Sequence, residues 1–145
     1  MIRILGRMRS LSPTERRLVV EATVALGAAA FAIAVLPFRR VAGAAARRIA
    51  DAGADDEERA RQVAQVRWAV TACARRVPWR AKCFEQGLAA QWMLGRRRIA
   101  SVLHYGVAKD DRQRLIAHVW LRSGPLDVVG CENEGAFTEL ASFPG

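Results

Sequence analysis

Histidine is scarce in this chain of 145 residues: there are two, His104 and His118. The cysteines, Cys73, Cys83 and Cys131, are odd in number and none has zinc-like spacing. Together these counts exclude most metal sites, and neither a metal nor another cofactor is expected. No convincing secretory signal is found, so a reducing cytoplasm is the expected setting for the thiols. Internal repeats and low-complexity linkers are absent. Acidic residues are outnumbered, with 14 Asp and Glu against 23 Lys and Arg and a net charge of +9.

What is present argues for one ordered domain. Hydrophobic residues make up 52% and charged residues 26%, a balance that disfavours disorder. The length suits a single domain with a core and is too short for two ordinary ones. Residues 1–50 hold nine Arg against two Glu, 51–78 balance, and 79–145 add only two positive charges. The basic character therefore belongs to the N-terminal third. It suits an acidic peptide, a membrane face or nucleic acid without choosing among them.

Met1 to Arg9 reads as a short, loosely held basic tail. Ser12-Pro13-Thr14-Glu15 then marks a helix start, with Ser12 as N-cap and Glu15 as its capping-box partner. The helix stops at Pro37. Its second half, Ala22 to Leu36, carries no charge and is bracketed by Arg16-Arg17 and Arg39-Arg40. Fifteen residues fall short of the roughly 20 that a membrane span needs. A helix awaiting a partner, or lying against a membrane surface, is the expectation.

A second short helix is predicted over 39–50, broken by Asp51-Ala52-Gly53-Ala54. Asp55-Asp56-Glu57-Glu58 opens a third, in which Val63, Val66, Val70, Cys73 and Val77 share one face. Cys73 is thus expected to be structural. Val77-Pro78 ends that helix, and a new one is predicted from about Ala81 to Arg96-Arg97-Arg98. The arginines complement its C-terminal dipole, and a nucleic-acid partner is not expected. Strands follow at Ala100 to Ala108, Leu115 to Leu121 and Leu126 to Val129, with a tight turn at Ser123-Gly124-Pro125. The last residues, with Phe137, Leu140 and Phe143, would close over the sheet. The fold class is α+β: N-terminal helices, then a helix packed on a small antiparallel sheet.

The chemistry centres on Cys83. In a first helical turn, free backbone N–H groups and the dipole favour an anion, and Arg80 and Lys82 add positive charge. A lowered thiol pKa is expected, as a nucleophile requires. A helix-borne cysteine followed by a strand-borne histidine is the layout of papain-like and transglutaminase-like enzymes. His118 shares a strand face with Ile116 and Trp120, a position that suits a core histidine as well as a catalytic one.

Larger blocks carry a resemblance. Pro78-Trp79-Arg80, Cys83, Gln86-Gly87-Leu88-Ala89, Trp92-Met93-Leu94 and Arg96-Arg97-Arg98-Ile99 form one block. Leu103-His104-Tyr105-Gly106-Val107, Ala117-His118-Val119-Trp120-Leu121 and Val128-Val129-Gly130 through Phe137 to Phe143-Pro144 continue it. The chain resembles the transglutaminase-like cysteine peptidases of lasso peptide biosynthesis, in the stand-alone leader-peptidase form. The likeness is densest from Val63 to Pro144, and Glu15-Arg16-Arg17-Leu18 and Leu36-Pro37-Phe38-Arg39 also fit. The domain division expected is an N-terminal helical segment over 1–54 and a catalytic domain over 55–145.

The resemblance implies a Cys83–His118 pair that cuts the leader from a ribosomally made precursor. It also implies two protein partners: a small leader-recognition protein and an ATP-using, asparagine-synthetase-like cyclase. Asp127 is the expected third catalytic residue. It would pair with Trp120 and face the side of His118 if the hairpin turn has two residues at Ser123-Gly124. In similar sequences the acid often falls slightly further on, where this chain has Gly130. Glu132 is the fallback. The backbone N–H of Cys83 would serve the oxyanion, Gln86 would add an amide or simply pack, and His104 and Cys131 are expected to be structural. Two alternatives stand beside this reading: a non-catalytic binding subunit of the same fold, and a basic membrane- or nucleic-acid-associated helical protein.

Overall fold

A computed structural model describes residues 9–45 and 55–145. Helix α1 spans Pro13–Val35. Ser12 and Glu15 close the capping box from both sides: Ser12 Oγ accepts from the Glu15 N–H at 3.2 Å, and Glu15 accepts from the Ser12 N–H at 2.7 Å. Leu36 is extended ahead of Pro37, which ends the helix there. Helix α2, Phe38–Ala45, follows at once; the rest of the expected 39–50 helix and its Asp51–Ala54 break lie outside the described residues.

Helix α3, Asp56–Ala74, is capped by Asp55, whose carboxylate accepts from the Glu58 N–H at 2.7 Å. It buries Val63, Val66, Ala69, Val70 and Cys73. The Cys73 thiol faces Val19 O and Thr23 Oγ1 of α1, sealing the joint between these two helices. Helix α4, Cys83–Arg96, is the central element, packed by α1 and α3 on one side and by the sheet on the other.

Four strands form the sheet: β1 Val102–Lys109, β2 Leu115–Ser123, β3 Leu126–Val129 and β4 Thr138–Pro144. Their order is β3-β2-β1-β4, with every neighbouring pair antiparallel. The C-terminal segment expected to lie over the sheet is instead its edge strand, paired with β1. Its inward residues are Ala141 and Phe143, while Leu140 points to solvent.

Leu103, Val119 and Leu121 face α4, and the fit is tightest at Gly87. A Cβ there would lie 2.8 Å from Leu103 and 3.0 Å from Val119. Gly87 therefore sets how closely the helix seats on β1 and β2. Near the N-terminus of α4, Phe38 meets Phe84 edge-on at 4.7 Å and also packs on Tyr105 and Phe143. Trp79, in the loop before Cys83, leans on α1 at Gly27. The two N-terminal helices thus brace the start of α4.

Candidate active site

Cys83 is the first residue of α4, with Lys82 as its N-cap. Two side chains fix the loop that delivers it. Glu85, almost fully buried, accepts from the Lys82 N–H at 3.0 Å. Gln86 donates its Nε2 to Ala81 O at 2.9 Å, so the amide considered for the oxyanion is engaged with the preceding loop.

The second partner comes from β2. β3 is short and pairs only with Leu121, Arg122 and Ser123; beyond it Gly130 lies against Val119 O, and among the described residues no strand pairs with the rest of that edge of β2. Cys83 and His118 line one pocket of about 220 Å3 at this edge, walled by Arg67 and Thr71 of α3, Gln86, Val128 to Gly130, and Glu132. The Val119 N–H faces the Cys83 sulfur.

His118 is held in orientation on two counts. Its ring lies between Trp120 (6.0 Å, 20°) and Phe137 (4.8 Å, 32°). Its Nε2 lies 2.7 Å from Gly130 O. A carbonyl can only accept, so Nε2 carries a proton, and the tautomer this selects has its lone pair at Nδ1. Gly130 adopts φ +75°, and a Cβ there would lie 2.6 Å from Val119 O. Only glycine brings this carbonyl to the ring without strain.

The thiol differs from expectation. Burial pushes Cys83 above the usual thiol range, and this outweighs the N–H groups of Val119, Phe84 and Cys83, which favour the anion. The nearby Glu85 carboxylate pushes the same way as burial. The flanking cations are otherwise placed: Arg80 reaches Glu85 at 3.4 Å and Lys82 is exposed. Helix start and basic neighbours are therefore outweighed by desolvation and a buried acid.

The remaining candidates lie around this pair. The hairpin turn is two residues, Gly124-Pro125, which puts Asp127 opposite Arg122 rather than Trp120. Asp127 shares the face of His118 but sits about 13 Å along the strand, at four residues' rise. Its carboxylate pairs with Arg122 at 2.6 Å, and Glu134 holds the same guanidinium. Glu132 borders the pocket, exposed, with Arg67 at 3.9 Å. His104 stacks on the far side of Trp120 and bonds Glu139 at 2.8 Å. Cys131 turns away toward Leu121 O at 3.3 Å.

Sequence reasoning missed the Gly130 carbonyl, Arg67 and Thr71. The first has no side chain to read; its one signal was the missing acid at that position. The two others lie on the α3 surface, where helical periodicity marks only solvent. A shallower groove of about 620 Å3 extends the pocket along α3, sharing Arg67 and Thr71 and adding Trp68, Arg75 and Arg76. Among the described residues, no group of three or more His, Cys, Asp or Glu is placed to hold a metal.

No curated protein and no solved structure matches the chain. Residues 25–142 match the sequence model of the Transglutaminase-like superfamily, a span that begins inside α1 and includes Cys83 and His118. With the cysteine-peptidase-type arrangement of helix and antiparallel sheet described above, that match makes the chain a member of the transglutaminase-like superfamily.

Proposed function

We propose that this protein is a cysteine peptidase that removes the leader from a lasso peptide precursor. The observation that carries the reading is one pocket lined by a helix-start cysteine and a histidine whose Nε2 bonds Gly130 O, so that Nδ1 is the nitrogen left for chemistry. The raised thiol pKa makes general-base attack the working route. As Sγ bonds to the scissile carbonyl carbon, its proton passes to Nδ1 of His118. The oxyanion lies at the α4 N-terminus, where the Cys83 N–H has no helical acceptor. The C–N bond breaks as the imidazolium returns its proton to the leaving amine. Water, deprotonated by the same nitrogen, hydrolyses the thioester and frees the enzyme.

In this reading Gly130 O orients the imidazole, and Asp127 is a second candidate for that role if it leaves Arg122. The basic groove along α3 suits a polypeptide with acidic residues, which fits a precursor as substrate. The lasso assignment rests on the sequence blocks around Cys83 and His118. It brings with it a separate leader-recognition protein and an asparagine-synthetase-like cyclase that would use the freed amine.

A second reading is favoured by two observations: among the described residues no carboxylate bonds His118, and burial favours the protonated thiol. Both suit a binding subunit that keeps the fold without the chemistry. Mixing the neighbouring precursor and leader-recognition protein with wild type, Cys83→Ala and His118→Ala, followed by mass spectrometry, separates the two. Cleavage by wild type alone supports the peptidase. Cleavage by Cys83→Ala would remove the nucleophile assignment. Precursor binding without cleavage by any folded variant would favour the binding subunit.

A further inference from the structure

Helix α1 is apolar on two sides, and the fold uses one. Leu18, Ala22, Leu26 and Ala29 are buried against α3 and α4. The opposite stripe is bare: Val20 is 55% exposed, Val24 65%, Phe31 73% and Val35 61%, with Leu36 following at 48%. Their spacing keeps them on one face over a length of about 22 Å. Exposed apolar surface of this extent marks a contact with something outside the chain.

Charge identifies the occupant. The one acid between Arg17 and Arg39 is Glu21, and it is turned toward the protein. Arg97 grips it at 2.7 and 2.8 Å, with Arg96 at 3.5 Å. The bare stripe therefore carries no negative charge. Exposed arginines stand at both its ends, Arg16 and Arg17 before it and Arg40 after it, while the guanidinium of Arg39 lies over the Tyr105 ring at 5.8 Å. A second copy on this face would bring arginine ends against arginine ends in either orientation, with no acid on the stripe to offset them. A surface that is apolar beneath and anionic at its boundary satisfies both features.

We propose that α1 lies in the plane of an anionic membrane interface. Its Val20, Val24, Phe31, Val35 and Leu36 side chains enter the acyl boundary, and the arginines at its ends meet lipid phosphates. By length and composition α1 could also cross a bilayer, with a mean hydropathy of 2.2 in its most apolar window. Crossing would strip Leu18, Ala22, Leu26 and Ala29 from the core, whereas lying flat leaves them in place. The active site then stays in water beside the membrane, with Trp79 linking α1 to the loop before Cys83.

The test is flotation of the full chain with phosphatidylcholine vesicles, with and without about a third phosphatidylglycerol. Wild type is expected to float with the anionic vesicles and at least about tenfold less with the neutral ones, and added salt should release it. Val24→Glu/Phe31→Glu should abolish flotation, and circular dichroism should show it folded because both positions are exposed. Arg17→Gln/Arg40→Gln should shift binding to a higher lipid concentration. Folded wild type that ignores anionic vesicles at low salt would overturn the proposal. So would flotation unchanged in Val24→Glu/Phe31→Glu. A dimer in sedimentation that this variant dissolves, with no vesicle binding by wild type, would assign the face to a second copy instead.

Discussion

The two halves of strand β2 differ in what lies beside them. From Leu121 to Ser123 the strand is paired on both edges, with β1 and with β3. From Leu115 to Val119 it is paired with β1 alone among the described residues, with the Gly130 loop rather than a strand against Val119 on its other side. The closed half collects charge: Arg122 is gripped by Asp127 and Glu134, and Ser123 Oγ donates to Ala100 O at 2.7 Å. The other half has the Cys83 thiol beside it, with the Val119 N–H at the sulfur and His118 lining the same pocket. Carboxylates sit where the hairpin is fastened; the imidazole is steered by a neutral carbonyl. An acid close to a histidine in sequence thus pairs elsewhere when an arginine at the register position claims it first.

The largest effect should separate the two histidines that flank Trp120. His118→Ala is expected to cut kcat/KM for precursor cleavage by about 1000-fold or more, because in the proposed route its Nδ1 takes the thiol proton and returns it to the leaving amine. His104→Ala loses a stacking partner and a bond to exposed Glu139, and should stay within about tenfold of wild type. Equal losses in both variants would mean that the stack as a whole, rather than Nδ1 of His118, sets the activity.

Next in size is Gly130→Ala. The left-handed φ and the 2.6 Å approach of a Cβ to Val119 O force the loop to move. Strain of this kind costs about 1–3 kcal/mol, readable as a lower denaturation midpoint. Withdrawing the carbonyl also frees the imidazole to rotate, so kcat should fall about tenfold or more with KM little changed. A stable variant with full kcat would show that Trp120 and Phe137 alone hold the ring.

The pH dependence of alkylation probes the half beside Cys83 without a substrate. Iodoacetamide reacts with the thiolate, and burial lifts the Cys83 pKa above the ordinary 9.0. A raised pKa means less thiolate at neutral pH, so labelling should be slow there and keep climbing past pH 9, where an ordinary thiol levels off. Mass spectrometry of the Cys83 peptide separates it from Cys73 and Cys131, which burial also pushes up. A midpoint below that of a free thiol would reveal a resting thiolate paired with an imidazolium.

Much of this was legible in the sequence, for local reasons. Ser12 and Glu15 announce the start of α1, Pro37 its end, and the Val63-Val66-Val70-Cys73 face the buried side of α3, all through short-range geometry. Cys83 at a helix start followed by His118 on a strand is likewise a pattern of spacing. The illegible parts depend on what folding brings close. Strand β4 hides because exposed Leu140 masks the period-two pair Ala141 and Phe143, and a bulge at Tyr105/Gly106 shifts its register. The thiol pKa could not be read because its neighbours Arg80 and Lys82 suggest the opposite sign, and only the packed structure shows Glu85 buried beneath it.

The smallest expected effect is also the sharpest for the comparison. Asp127→Asn keeps the shape of the side chain and removes its charge from Arg122. The pair is half exposed and Glu134 still holds the guanidinium, so stability should fall by no more than about 1 kcal/mol. If Asp127 belongs wholly to the closed half, kcat for precursor cleavage should stay within about threefold of wild type. A loss of about 100-fold or more in kcat, with KM unchanged, would mean something else. The carboxylate would then have to leave Arg122 and cover the distance to His118 once substrate binds, and the division between the two halves would hold only at rest. Arg122→Gln distinguishes the cases. By releasing Asp127 it should leave kcat unchanged in the static picture, whereas in the mobile one kcat should rise.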